Sequence, residues 1–146
     1  MLANLARAAA PAAPLSPRVF ISRRATLARR IANEDEALAA LAPLGFRAYT
    51  LEEMSFADQV RLFAQAEIIV GPHGAGMMNL AFSANAKVVE LFGAFLQPSF
   101  SELARGLGFP YGFLECRAPR GDIRGWDADL VVDVPALREL TGKMLG

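Results

Sequence analysis

The sequence is short of two residue types that build many sites, since its 146 residues include one cysteine, Cys116, and one histidine, His73. A single cysteine excludes an intrachain disulfide framework and gives no sign of an oxidising compartment. Together the two residues are too few for a Cys/His zinc site. A Gly-x-Ser-x-Gly nucleophile elbow is also absent. Enzymes with a Cys/His zinc site and hydrolases with this nucleophile elbow therefore lose support.

Long apolar runs are missing as well, although 53% of the residues are hydrophobic and the mean hydropathy is +0.28. Charged residues interrupt the apolar runs well before the roughly 18 residues of a membrane span, so we expect no transmembrane helix. The 15 basic and 15 acidic residues cancel. This balance argues against a general nucleic-acid-binding surface or an anionic-membrane surface, and we expect no nucleic-acid partner.

Residues 1–17 differ from the rest because they are rich in alanine and proline and carry Arg7. Three prolines disfavour a helix, and a signal peptide needs a longer uninterrupted hydrophobic region. We therefore interpret residues 1–17 as a leader or linker and expect one domain at residues 18–146. A chain of this length removes roughly 68–70% of its surface from water on folding, so a substantial core is possible.

From Arg18 onward, short β-type runs alternate with helical patterns, which predicts a Rossmann-like α/β fold: a mostly parallel sheet with helices on both faces. The predicted strands are 18–22, 46–50, 67–70, 87–91, 111–115 and 129–133. The predicted helices are 34–42, 55–66, 75–82, 99–107 and a closing helix from Pro135. Asn33 and Ser55 are the expected N-caps of the first two helices, and residues 117–127 are expected to be irregular.

Parallel strands bring the residues that follow them to one edge of the sheet. Arg23 follows the first strand, a Gly-Pro-His-Gly-Ala-Gly turn at residues 71–76 follows the third, and Glu90 closes the fourth. If these strands are neighbours, arginines, a glycine-rich turn and a carboxylate share one crevice. Five arginines lie within thirteen residues that contain no acid, although such a run is equally typical of a solvated surface: 18, 23, 24, 29 and 30.

The 71–76 turn suits a phosphate, because glycines let backbone amides approach a ligand and the following helix offers free N–H groups. The helix dipole contributes only about 0.3–1 kcal/mol, so charge-assisted contacts from Arg23, Arg24 or Arg30 would have to add to it. The pattern is only part of a Gly-x-Gly-x-x-Gly fingerprint, and no Gly-Lys-Ser/Thr phosphate loop is present. The residues alone thus predict a phosphate- or nucleotide-binding domain.

Several single residues carry competing interpretations. Glu90 is placed to accept hydrogen bonds from ribose hydroxyls, and its alternative is a surface partner of Lys87. For His73 we favour stabilisation of a phosphate or leaving group, since the sequence shows no partner that would activate it as a proton carrier. Asn33 fits a helix cap as well as a ligand contact, and Asn79 fits a residue that orients the turn. Cys116 is interpreted as structural.

Short motifs also follow one another in a distinctive order between about Arg18 and Leu91: Ser22-Arg23, Arg30-Ile31-Ala32-Asn33-Glu34, Ser55 with Gln59, the 71–76 turn, Asn79 and Val89-Glu90-Leu91. This series resembles glycosyltransferase family 61. That family includes bacterial capsular-polysaccharide proteins and eukaryotic enzymes that add xylose or N-acetylglucosamine.

The resemblance implies a GT-B architecture, in which two Rossmann-like domains face each other and the C-terminal one binds a UDP-sugar without a metal or other cofactor. His73 is the expected catalytic residue, through stabilisation of the departing diphosphate. Whether Arg29 or Arg30 fills the second arginine position stays open. The donor-binding positions expected in this chain are Arg23, Arg30, Asn33, Glu34, His73, Gly74, Ala75, Gly76, Asn79 and Glu90.

The leading hypothesis is a donor-binding domain that transfers a sugar from a nucleotide diphosphate to a hydroxyl acceptor in polysaccharide or glycan synthesis. A separate or N-terminal domain would bind the acceptor, and a cytoplasmic location is expected, because bacterial polysaccharide synthesis draws on cytosolic donors. The first alternative is a truncated nucleotide-binding module that transfers nothing. A nicotinamide-dependent oxidoreductase is the second, although its fingerprint belongs after the first strand rather than the third.

Overall fold

A computed structural model describes residues 14–146, so most of the predicted leader at 1–17 lies outside the described residues. Five strands form one sheet in which every neighbouring pair is parallel, and their order is β2-β1-β3-β4-β5. The strands are β1 (Arg18–Ser22), β2 (Arg47–Thr50), β3 (Ile68–Pro72), β4 (Lys87–Phe92) and β5 (Tyr111–Glu115). The predicted α/β class with a Rossmann-like parallel sheet is confirmed.

Helices cover both faces of this sheet, as predicted. The α-helices are α1 (Glu34–Leu41), α2 (Phe56–Gln65), α3 (Ser99–Leu107) and α4 (Val134–Leu145). Four 3₁₀ helices complete the described chain: Ala42–Leu44, Leu51–Glu53, Ala75–Phe82 and Gly125–Asp127. The element after the 71–76 turn is therefore a 3₁₀ helix, at the residues where a helix was predicted. No helix of the described part of the chain is long and apolar enough to cross a membrane.

Alternating side chains of the strands build two cores, one on each face of the sheet. On one face, Ile69 of β3 packs with Phe63 of α2 and with the 3₁₀ helix at 75–82. On the other face, Val70 packs with Leu41 of α1 and Leu137 of α4. Burial on both faces fixes the central strands, so the carboxyl ends of β1, β3 and β4 come together at one edge.

One local prediction was confirmed only in part, and another was wrong. Asn33 is the N-cap residue of α1, as predicted, but its side chain makes no cap hydrogen bond. Its amide instead accepts from the backbone N–H of Val132 and donates to the Val132 carbonyl, both at 2.9 Å. Residues 129–133 form no strand and make only isolated bridges to Ile31 and Arg117. The Asn33 amide occupies the Val132 backbone groups that would have continued a ladder. By contrast, Ser55 caps α2 as predicted.

Candidate functional site

The 71–76 turn leaves the sheet at the carboxyl end of β3, between β1 and β4. The His73 backbone N–H donates to the Leu91 carbonyl at 2.9 Å, which holds the start of the turn against β4. A Cβ at Gly74 would lie 2.7 Å from Nη1 of Arg23. The φ angle of Gly74 is 163°, which is extended backbone, so space rather than conformation requires glycine here. Gly74 therefore lets the Arg23 guanidinium lie against the turn.

Arg29 approaches the same turn from the loop that follows β1. Its Nη1 donates to the His73 carbonyl at 3.3 Å, and its guanidinium lies 5.3 Å from the ring centre of Trp126. Its φ angle of 55° is in the left-handed region, where an arginine is strained by about 1–2 kcal/mol. A hydrogen bond of 3.2 Å from its N–H to the Asp127 carbonyl stabilises this conformation. Strain of this kind is often found at functional sites.

Arg23 and Arg29 share an unusual electrostatic position. The Nε atoms of both are buried without a hydrogen-bond partner, and neither side chain forms an ion pair within residues 14–146. Burial and then the charge of Arg29 lower the pKa of Arg23, while Glu52 opposes this effect. Two neighbouring cations with buried, unpartnered donors form a site that an anion would stabilise.

Arg24 and Arg30, the next residues along the chain, are paired instead. Arg24 forms ion pairs with Glu34, at 2.7 Å from Nε, and with Asp35. Arg30 donates to the Asp129 carboxylate from its backbone N–H at 2.9 Å and from Nη2 at 3.2 Å. The structure thus brings Arg29 rather than Arg30 to the turn, and a donor contact of Arg30 stays a prediction.

Glu34 and Asn33 lie at the start of α1, where they hold the loop that carries the arginines. Glu34 is buried, and its Oε1 accepts from Oγ of Ser22 at 2.8 Å and from Arg24. Its Oε2 is buried without a partner. Asn33 is bonded to Val132 in both directions. Both side chains therefore have structural contacts. A contact of either one with the nucleotide-sugar donor stays a prediction.

The remaining predicted positions of the turn lie where the 3₁₀ helix begins. Ala75 is exposed and Gly76 is half-buried, with Leu51 so close that a Cβ on Gly76 would lie 2.9 Å from it. Asn79 donates to the Gln59 amide at 2.9 Å, which fits the interpretation that it orients the turn. A contact of Ala75, Gly76 or Asn79 with the nucleotide-sugar donor stays a prediction.

His73 has a buried partner that the sequence did not reveal. Its Nδ1 lies 2.5 Å from Oε1 of Glu90, and the Tyr111 hydroxyl donates to Oε2 of Glu90 at 2.5 Å. The Glu90 side chain is 0% exposed. Burial raises the pKa of Glu90, and the hydrogen bonds from Tyr111 and His73 oppose that rise. Burial and then the Glu90 hydrogen bond raise the pKa of Tyr111 above its ordinary value, so its hydroxyl keeps its proton.

Full burial also bears on the two interpretations of Glu90. It has no exposed surface with which to pair Lys87 as a surface partner. Both of its oxygens are already bonded within the fold, and a contact with a ribose stays a prediction. The partner Tyr111 lies 21 residues away on β5, two residues before Phe113, which is the register partner of Glu90. Only the pairing of β4 with β5 could have identified it.

Aromatic rings enclose the His73 imidazole on its other sides. Phe92 is stacked on it at 5.3 Å between ring centres, Phe100 lies at 5.1 Å and the edge of Trp126 at 5.6 Å. His73, Arg29, Trp126 and Phe95 line one pocket at the edge of the sheet. The pocket therefore combines a cation, an imidazole and aromatic surfaces. Cys116 lies apart from it, buried, with a pKa that burial and then Asp133 raise to about 12.

Known proteins match this chain over the segment that carries the turn and the arginines. A family model described as Glycosyltransferase 61 matches residues 1–89. The EGF domain-specific O-linked N-acetylglucosamine transferase of Mus musculus is 36% identical over 100 residues, which are 64% of this chain and 19% of that protein. Its counterpart in Drosophila melanogaster is 33% identical over 102 residues, which are 67% of this chain and 19% of that protein.

A further relative is named for a different acceptor. Protein O-linked-mannose beta-1,4-N-acetylglucosaminyltransferase 2 of Canis lupus familiaris is 39% identical over 84 residues, which are 55% of this chain and 14% of that protein. The chain thus spans about a fifth, or less, of the length of these relatives. They are animal proteins, so the bacterial capsular type that the motifs implied stays a prediction.

Proposed function

The chain belongs to glycosyltransferase family 61, and from that premise we propose that it binds the diphosphate of a UDP-linked sugar at the 71–76 turn. The observation that carries this proposal is a pair of arginines that have no acidic partner among residues 14–146. Arg23 and Arg29 both lie against the turn, and neither guanidinium forms an ion pair with a described residue. Phosphate oxygens would balance these charges by accepting from the terminal Nη groups, because a guanidinium binds them through two donors at once.

These contacts are expected to contribute more to nucleotide binding than the helix dipole does. A hydrogen bond between charged groups contributes about 1.5–3 kcal/mol, compared with about 0.3–1 kcal/mol for a helix dipole. The arginines thus supply most of the attraction, and the backbone of the turn fixes the position. When the glycosidic bond breaks, negative charge grows on the diphosphate. Cations already in place stabilise that charge without reorganisation, which is how such a site would accelerate sugar transfer.

We propose N-acetylglucosamine as the first sugar to test, because the names of the matched relatives state its transfer. The acceptor would be a hydroxyl group of a glycan or another molecule, bound by a further domain or chain. A non-catalytic nucleotide-binding module would bind the same donor without transferring its sugar. Incubation with a radiolabelled UDP-sugar and candidate acceptors distinguishes the two, since only a transferase moves the label to an acceptor.

Calorimetry with UDP is the direct test of donor binding. We expect UDP to bind the folded chain and Arg23→Ala to weaken binding by roughly tenfold or more, as loss of a charge-assisted contact predicts. Arg61→Ala is the matched control, because Arg61 is exposed on α2 and, among the described residues, pairs only with Asp58. NAD should not compete. No measurable binding of UDP by the folded chain, or tighter binding of NAD, would refute the proposal.

We further propose that donor binding needs no metal, that the acceptor belongs to polysaccharide or glycan synthesis, and that the protein is cytoplasmic. The last two rest on the capsular-polysaccharide proteins that the motifs resemble. Equal UDP affinity in magnesium and in a chelator would support donor binding without a metal, and a strong dependence on magnesium would contradict it. Cell fractionation tests the location, and recovery of the protein mainly outside the cytoplasm would overturn that part.

A further inference from the structure

The bond between His73 and Glu90 places the histidine in a defined protonation state. Glu90 accepts from the Tyr111 hydroxyl through one oxygen and contacts Nδ1 of His73 through the other, each at 2.5 Å. These two contacts favour the ionised carboxylate and oppose, without cancelling, the burial that raises the pKa of Glu90, so we take Glu90 as ionised at neutral and alkaline pH. An ionised carboxylate can only accept, so the ring proton of a neutral His73 must lie on Nδ1.

The other ring nitrogen, Nε2, is the one that a ligand can reach. Within residues 14–146 it has no hydrogen-bond partner, and it is not fully buried. The His73 side chain keeps 12% of its surface exposed. Phe92 and Phe100 carry no polar side-chain atom, and no hydrogen bond joins the Trp126 indole to His73 in the described part of the chain. Nε2 is thus an accessible atom beside the 71–76 turn.

Few charged groups surround this imidazole. Glu90 faces it from β4, and Tyr111 of β5 acts on it through Glu90. Arg29 contacts its carbonyl, and Arg23 lies against the adjacent Gly74. The helix α3 and the 3₁₀ helix Gly125–Asp127 present aromatic rings to it. Glu90 is therefore the one acid in direct contact with the imidazole in the part of the chain that the structure describes.

We propose that Glu90, held by Tyr111, fixes the ring proton of His73 on Nδ1 and thereby makes diphosphate binding at the turn depend on protonation of Nε2. This inference rests on the proposed donor site. A neutral ring with its proton on Nδ1 presents a lone pair at Nε2, which cannot donate to a phosphate oxygen. The imidazolium presents N–H and can donate. Glu90 and Tyr111 are positioning residues, because they act through His73.

The state of the ring can be measured without any ligand. His73 is the only histidine of the chain, so the ¹⁵N signals of its ring are unambiguous. At alkaline pH, where the imidazole is neutral, we expect the proton of the wild-type ring on Nδ1. In Glu90→Gln the carboxamide can donate to Nδ1, so the proton should move to Nε2, and Tyr111→Phe should give a smaller shift in the same direction. A wild-type ring protonated on Nε2 overturns the inference.

Donor affinity then tests the consequence. The probe is UDP-N-acetylglucosamine, whose two phosphates are both esterified, and calorimetry is run from about pH 5.5 to 8.5, a range that spans physiological pH. We expect wild-type affinity to fall by up to about tenfold per pH unit for one linked proton. Glu90→Gln should lose this slope and bind more tightly than the wild type at the alkaline end. Glu102→Gln, which removes an exposed carboxylate of α3, should keep the slope.

The outcomes separate this inference from the proposed function. Wild-type binding that does not change with pH overturns the proton linkage and leaves the donor site standing. Absence of binding at every pH overturns both. Circular dichroism shows whether Glu90→Gln is folded. The tautomer of the wild-type His73 ring and the pH dependence of wild-type donor affinity each test the inference without that variant.

Discussion

Arg23 and Arg29 differ from their immediate neighbours Arg24 and Arg30 in what their side chains contact. Arg24 and Arg30 pair with carboxylates, and their own side chains are 56% and 46% exposed. Arg23 and Arg29 turn inward to the 71–76 turn and leave buried Nε atoms without acceptors. The comparison teaches that an acidic partner, rather than residue type, separates an arginine that stabilises the loop from one that is available to a ligand.

The largest predicted effect is the difference in UDP affinity between substitutions of Arg29 and of Arg30. We expect Arg29→Ala to lower the affinity for UDP by roughly tenfold to a hundredfold, since it removes a charge-assisted contact. Arg30→Ala should cause a much smaller loss, because Arg30 is bonded to Asp129. Calorimetry on the two variants provides the test. The opposite ranking would show that the second arginine of the donor site is Arg30.

A smaller effect follows from Gly74, which makes room for Arg23. A methyl group there would lie 2.7 Å from Nη1 of Arg23 and displace the flexible end of that side chain. We expect Gly74→Ala to keep its thermal stability and to lose up to about tenfold in UDP affinity. Gly106→Ala is the control, since nothing lies within 4 Å of a Cβ at that position. A variant with full affinity would remove Arg23 from the donor site.

The smallest predicted effect concerns the free energy of unfolding, and it tests whether the pairing of Arg30 with Asp129 stabilises the fold. Burial alone would raise the pKa of Asp129, but the hydrogen bonds and charge of Arg30, together with the charge of Arg124, lower it overall. A lowered pKa gives stability that is present above about pH 4 and is lost as the pH falls through the folded-state pKa. Asp129→Asn should therefore unfold more easily than the wild type at neutral pH, by about 1 kcal/mol.

Urea unfolding at neutral pH and in acid measures this difference. We expect the gap between wild type and Asp129→Asn to close in acid, because the wild-type carboxylate is then protonated. UDP affinity at neutral pH should change little in the variant. A gap that persists in acid would show that the hydrogen bonds of Asp129 do not depend on its charge.

Much of the fold could be predicted because its signals are local. The apolar run at 18–22 and the pattern at 111–115 identified β1 and β5 with their bounds. Ser55 caps α2 because its hydroxyl reaches the N–H of Asp58, three residues away. The strand predicted at 129–133 failed for a non-local reason. Asn33, 99 residues away from Val132, takes up the backbone groups of that segment.

The candidate site was less predictable because its chemistry depends on strand register and on one unusual backbone conformation. The sequence placed Glu90 near the turn, but its bond to His73 and the contribution of Tyr111 required the pairing of β3, β4 and β5. The choice between Arg29 and Arg30 required the left-handed φ angle of Arg29, which an arginine seldom adopts. Neither feature has a signature in the sequence.

The central claim is that a diphosphate binds the 71–76 turn between Arg23 and Arg29, and nuclear magnetic resonance of the ¹⁵N-labelled chain tests it most directly. UDP is titrated into the protein while the Nε–H signals of the arginines and the backbone amides are followed. We predict the largest shifts for Nε–H of Arg23 and Arg29 and for the amides at Gly74 and Gly76. Saturable shifts confined to other parts of the chain, with those signals unmoved, would contradict the account.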